Sequence, residues 1–345
     1  MKLVTYTDKK DESGNTSAGL VWGDWILDIR HLPSIAKRLG IKTLRAPSRF
    51  SKGNKTVLDV IARGPETLAE LQILSWRVFN RMKPGAEDEG LKRLEKSRLL
   101  APIPKPPTLR DFYAFEEHVK AARAKRGLEM VPEWYEIPVF YYSNPNVIYG
   151  PDDEIPIPSY TKALDFELEV ACVIGKKGRD IPLEQAESCI AGYTIMNDWS
   201  ARDIQAKEMK VGLGPAKAKD FATSLGPWLV TPDELEDMKS RRGTYKLEMT
   251  ARLNGNLVSK GNMESMHWTF PEMIAHASQD VELQVGDVFG SGTVGTGSLV
   301  EQQSKRTKWL KPGDTIELTI ERLGTLGNGI VESRRDVGAH SLVRN

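Results

Sequence analysis

The run ALDFELEVACVIG, residues 163–175, constrains this chain more than any other segment. Its apolar second half reads as a strand bound for the core. Its first half alternates acidic and apolar residues. Successive strand side chains point to opposite faces, so Glu167 and Glu169 share one face, with Asp165 beside them. Carboxylates packed side by side repel and raise one another's pKa. A solvated strand face relieves the conflict, and so does a divalent cation. The core-like continuation through Val170–Ile174 weighs against the solvated face. The chain has five His and two Cys, Cys172 and Cys189. A metal site here must therefore rest mostly on carboxylates, and neither a disulfide framework nor a cysteine-based zinc site is expected.

The 345 residues suggest about two domains. Forty-eight Lys and Arg against 47 Asp and Glu give a net charge of +1, which argues against nucleic acid as a partner. No apolar run has membrane-spanning length, and the N-terminus MKLVTYTDKKDESG carries no signal-peptide core, so a cytoplasmic protein without a membrane partner is expected. Residues 1–30 read as short strands with Gly turns, and 31–100 as helices, EGLKRLEKSRLL included. The run Ala101–Pro107 has four prolines in six positions and reads as a linker or domain edge. A small N-terminal domain over 1–100 and a larger domain over 101–345 follow. In the second part, strands dominate without regular helix alternation, which favours a mixed, strand-dominated α+β architecture over a doubly wound one. Asn254-Gly255 marks a hairpin.

Three further clusters carry chemistry. RDFYAFEEH places Asp111 where a helix is expected to begin, with His118 two turns on; the expected helix closes at Gly127. MNDWSARDIQ reads as strand, then Asn197/Asp198 as turn or N-cap, then helix, with Arg202 and Gln205 on one side of it. A lone acid or His in such places is commonly a cap or a surface residue. The Gly-rich stretch 290–301 is neither a Walker A loop nor a dinucleotide fingerprint. It suits tight β-turns or a close backbone approach to a ligand.

Together with the Lys219 segment KDFATSLGPW and SGT followed by Glu301, these pieces resemble the fumarylacetoacetate hydrolase family, from about residue 102 to 332. The resemblance implies a mixed β-roll or β-sandwich catalytic domain with a smaller N-terminal α/β domain. It implies that Asp111, Glu167, Glu169 and Asp198, with Thr223 in support, hold Mg²⁺ or Mn²⁺, Ca²⁺ being a further candidate. An all-oxygen ligand set suits such hard cations. His118 resembles the family's catalytic base and Glu301 the acid that orients it. Arg202 and Lys219 match positions that stabilise developing negative charge. Tyr113, Gln205, Tyr141 and Thr293 match substrate contacts, and Arg126 on the helix after His118 is a further candidate for holding a substrate carboxylate. An Asp seven before the His, together with the absence of H-x-x-E, matches the fumarylacetoacetase type. The implied activity is hydrolysis of a C–C bond in a β-diketo acid, in aromatic-compound catabolism, through an enolate held by the cation and water activated by His–Glu. Decarboxylation, isomerisation or dehydration of a keto acid such as oxaloacetate is the alternative, and a non-catalytic metal-binding protein a third. A small keto acid and a second copy of the chain are the implied partners. The Arg-containing tail, Ser333 to Arg344, reads as solvated.

Overall fold

In a computed structural model, which describes residues 1–9, 14–42, 50, 53, 55–82, 90–302 and 308–333, the run at 163–175 forms two strands rather than one. Leu164–Asp165 pairs with Ser200–Ala201. Leu168–Ile174 is buried throughout, at the middle of a 12-stranded sheet. The break has a local cause. The backbone N–H of Phe166 donates to Asp165 Oδ1 and that of Glu167 to Asn197 Oδ1, so side chains take hydrogen bonds that a ladder would have used.

Outward from Leu168–Ile174 on one side lie Ile190–Asp198, Thr223–Val230, Lys2–Asp8, Ser17–Trp22, Trp25–Asp28 and Leu91–Arg93; on the other lie Val288–Gly290, Leu109–Phe112 and Phe140–Ser143. A second, five-stranded sheet runs Asn256–Asn262, Glu248–Leu253, Thr315–Ile320, Gly324–Val331 and Glu154–Pro156. Its first hairpin turns at Asn254 and Gly255, both at positive φ. The fold is a mixed, strand-dominated α+β architecture, and neither sheet closes into a barrel among the described residues.

Alternation along Leu168–Ile174 divides the interior. Leu168, Val170, Cys172 and Ile174 join a core with Met249, Ala251, Ile316 and Leu318 of the second sheet. Ala171 and Val173 join another core with Leu3, Leu27, Val60 and Leu71 of the first hundred residues. Glu169 lies on the Ala171 side by the same alternation. The N-terminal helices Leu32–Arg38, Val57–Ile61 and Pro65–Phe79 therefore bury the sheet face whose far end carries the acids.

Four sequence expectations change. EGLKRLEKSRLL is not helical; Leu91–Arg93 and Ser97–Leu100 are strands about a single 3₁₀ turn, because open edges at Trp25–Asp28 and Lys2–Asp8 offer ladder partners that outweigh local propensity. The proline run does not begin as a free linker: Ala101, Pro102 and Ile103 are buried, and Thr5 Oγ1 donates to Pro102 O, while Lys105 and Pro107 are exposed. Asp111 begins no helix; it lies on a strand parallel to Val288–Gly290, and the helix starts at Glu116. Asp198 is no cap; it ends a nine-residue strand, and the helix starts at Arg202. Lys2–Asp8 pairs with Thr223–Val230, so one sheet runs through residues on both sides of the expected 100/101 boundary. No described helix is long and apolar enough to cross a membrane. The tail beyond Ser333 lies outside the described residues.

Candidate active site

Three strands of one sheet, two of them adjacent and the third beyond Val288–Gly290, and one break bring four carboxylates together. Asp111, Glu167, Glu169 and Asp198 are all buried, and each offers an oxygen within 4.8 Å of the others. Opposite oxygens around an octahedral Mg²⁺ stand about 4.2 Å apart, so the spacing is that of one hard cation. The Gly-rich stretch makes this closeness possible. A Cβ on Gly290 would sit 2.5 Å from Asp111 Oδ1 and 3.1 Å from Glu169 Oε2. The N–H of Gly292, at φ +76°, donates to those same two oxygens at 3.2 Å each. Glycine is needed at both places, one for room and one for conformation.

The electrostatics show the strain of the arrangement. Burial, then Asp198, pushes Asp111 up to about 8. Burial, then Asp111, lifts Glu169 well above the carboxylate range. Asp198 is raised by burial in spite of Lys219. For Glu167 burial is overcome by Lys219 and Arg202, and it falls to about 2. Lys219 Nζ bonds Glu167 Oε2 and lies 2.6 Å from Asp198 Oδ2. Arg202 reaches Asp165 Oδ2 through Nε and Glu167 Oε1 through Nη2, both at 2.8 Å, and Gln205 Oε1 through Nη1 at 2.9 Å. Five buried carboxylates thus share two bonded cations. Asp198 Oδ1 is buried with no hydrogen-bond partner among the described residues. That orphaned oxygen, the charge deficit and the oxygen donor set fit a divalent cation.

Beside this cluster stands a second pair. His118, on the helix Glu116–Ala124, lies with Nδ1 2.9 Å from Glu301 Oε2. Glu301 is fixed by Ser298 Oγ at 2.9 Å and by the Thr296 N–H at 3.0 Å. Burial raises the Glu301 pKa, but the hydrogen bond from His118 helps to hold it below the ordinary value. The imidazole is near enough to Glu167 to lower that residue's pKa. With Nδ1 facing Glu301, Nε2 is left for proton transfer.

The other expected residues fall at graded distances. Tyr141 OH lies between Asp198 Oδ2 and Asp111 Oδ2, the latter at 3.0 Å, with its one proton to share between them, so it sits within the acid cluster. Thr293 Oγ1 donates to Glu169 Oε1 at 3.4 Å. Thr223 pairs with Asp198 across the ladder, its Oγ1 3.5 Å from Ser143 Oγ. The Tyr113 ring meets His118 edge-on at 5.5 Å. Gln205 is engaged by Arg202. Arg126 is exposed at the end of the helix, its Nε on Ala122 O, and the structure does not bring it into the cluster. Sequence reasoning missed Ser298, the Gly292 N–H and the bonds of Asp165. The alternation that placed Asp165 beside Glu167 was the available signal for the last.

Residues 108–331 match the fumarylacetoacetate hydrolase C-terminal model. The chain is 31% identical over 279 residues to the oxaloacetate tautomerase YisK of Bacillus subtilis, covering 80% of this chain and 86% of that protein. A solved fumarylacetoacetate hydrolase from Exiguobacterium antarcticum superposes with a TM-score of 0.67 at 25% identity, over 97% of this chain and 100% of that one. The maleylpyruvate hydrolase of Sphingobium sp. SYK-6, solved with manganese(II) and pyruvate, shares the fold with a TM-score of 0.65 at 20% identity, over 97% and 100% of the two chains. The chain belongs to the fumarylacetoacetate hydrolase family.

Proposed function

From that membership and the geometry of the site, we propose that the chain is a divalent-metal-dependent hydrolase that cleaves a C–C bond in a β-diketo acid. The observation that carries the reading is the His118–Glu301 pair standing beside the four carboxylates. Asp111, Glu167, Glu169 and Asp198 would hold Mg²⁺ or Mn²⁺, and the manganese-containing relative supports the choice of ion. When bound, the cation supplies Lewis-acid charge that lowers the cost of an enolate leaving group.

This chain's own residues do the rest. Glu301 orients the imidazole and balances its charge, so that His118 Nε2 takes a proton from water as the oxygen attacks the distal carbonyl carbon. The Lys219 ammonium, held between Glu167 and Asp198, faces the negative charge that develops on the carbonyl oxygen. The C–C bond then breaks with its electron pair passing to the departing enol carbon, and His118 returns the proton. Arg202 donates to Asp165 through Nε and to Gln205 through Nη1, with Nη2 paired to Glu167 at 2.8 Å, and its remaining N–H groups are proposed to meet a substrate carboxylate. Tyr113 and Thr293 complete the proposed substrate face.

A second reading is supported by the YisK alignment, which spans 80% of this chain. Oxaloacetate keto–enol tautomerisation also needs a base near the enol carbon, and His118 Nε2 would serve it without water. The experiment is a spectrophotometric screen of acylpyruvates, fumarylacetoacetate and oxaloacetate with Mg²⁺ and Mn²⁺ in ¹⁸O-labelled water. Hydrolysis places ¹⁸O in a product carboxylate and yields two acids. Loss of the enol absorbance with no cleavage product overturns hydrolysis in favour of tautomerisation.

A further inference from the structure

Asp165 is wholly buried and meets four donors. Its Oδ1 accepts from the N–H of Phe166 at 2.9 Å and of Leu299 at 2.8 Å. Its Oδ2 accepts from Arg202 Nε at 2.8 Å and from the N–H of Val300 at 3.1 Å. Leu299 and Val300 directly precede Glu301, whose carboxylate holds His118. Arg202 in turn reaches Glu167, one of the four clustered acids. One carboxylate therefore ties the segment that orients the base to the guanidinium that braces the cluster. Thr296 N and Ser298 Oγ fix the Glu301 side chain, and Lys125 Nζ on Val300 O comes from the exposed side.

We propose that Asp165 is a positioning residue that locks the Glu301 segment and Arg202 into one unit, setting His118 against the carboxylate cluster. This rests on His118–Glu301 being the proton-transfer pair. A carboxylate is required because all four contacts donate to it. In Asp165→Asn the amide NH₂ must face two of those donors, so either Arg202 and Val300 or Phe166 and Leu299 lose an acceptor.

The test uses the full chain loaded with Mg²⁺ and read by NMR. The His118 Nδ1 proton, hydrogen-bonded to a carboxylate, gives a low-field resonance assigned by its disappearance in His118→Gln. In Asp165→Asn that resonance is expected to vanish or move, Mn²⁺ is expected to bind with unchanged stoichiometry, and kcat to fall about 10- to 100-fold with a rise in KM. A folded Asp165→Asn protein that keeps the resonance in place overturns the proposal. If the variant does not fold, hydrogen exchange on the unsubstituted protein decides: the Leu299 and Val300 amides are expected among the slowest, and exchange as fast as at surface amides overturns it. The resonance and exchange do not depend on turnover. A protein that hydrolyses no keto acid, yet shows both expected results, defeats the hydrolase reading and leaves the role of Asp165 standing.

Discussion

Asp28 and Glu169 are both buried carboxylates on strands of the same sheet, and they are satisfied in opposite ways. Asp28, in the first hundred residues, accepts from Tyr6 OH at 2.9 Å, from Arg30 N at 2.8 Å and from Arg30 Nη2 at 2.6 Å. One acid meets one guanidinium with its lone pairs filled. Burial raises its pKa, and the bonds from Arg30 more than offset that, so it lies below the ordinary value. Glu169 accepts from Gly292 N and Thr293 Oγ1, has no bonded cation among the described residues, and has three other acids within reach. Its pKa goes up. The first arrangement is complete as a structural element. The second is complete only when positive charge enters from outside, which is the mark of a site.

If that contrast holds, removing the cation produces the largest effect. Exhaustive chelation is expected to cut turnover of the substrate found in the screen by more than about 100-fold, with Mn²⁺ or Mg²⁺ restoring it. Full activity in excess chelator would break the comparison, since the acids would then be self-sufficient. Next comes His118→Ala, with an expected loss of about 10²- to 10⁴-fold in kcat and Mn²⁺ still bound, as followed by isothermal titration. Unchanged turnover would remove the dyad from the chemistry.

Opposite signs are expected from one pair of substitutions. Glu169→Gln relieves repulsion, so the metal-free protein is expected to melt at higher temperature while its Mn²⁺ affinity falls at least about tenfold. Asp28→Asn unpairs Arg30 and is expected to cost about 1–3 kcal/mol, with Mn²⁺ affinity unchanged. Thermal melts with and without Mn²⁺ decide both. A lower metal-free melting temperature for Glu169→Gln would count against the strain assigned to the cluster.

The same contrast explains what could be read from the chain. Strand alternation put Glu167 and Glu169 together, and the Arg202–Gln205 spacing on a helix proved to be a contact. Asp111 and Asp198 entered the cluster through resemblance; locally they look like a helix start and a cap. What placed them was the alignment of separate strands, Gly290 opposite Asp111 and Asp198 opposite Thr223, which no local pattern encodes. The helix expected at 90–100 failed for the same reason, because distant edges recruited it. Asp28 drew no attention in the sequence, since an Asp two residues before an Arg is unremarkable until both find Tyr6 and Ser17.

The remaining comparison is the dependence of stability on pH, and here the two regions run against each other. Asp28 has a folded pKa below 3.8, so its contribution is present above that value and lost as pH falls through the folded pKa. Asp111 in the metal-free protein has a folded pKa of about 8, above its ordinary 3.8. Between those two values the folded chain binds more protons than the unfolded one, so stability is full below about pH 4 and declines as pH rises toward 8. Chelated protein is therefore expected to show a melting temperature that falls from pH 5 to pH 8. Mn²⁺, which displaces those protons, is expected to reverse the slope over the same range, while Asp28→Asn leaves it unchanged. Calorimetry at several pH values, with and without Mn²⁺, reads all three curves. A chelated protein that gains stability from pH 5 to pH 8 would place the acid cluster with Asp28, as a self-paired structural element.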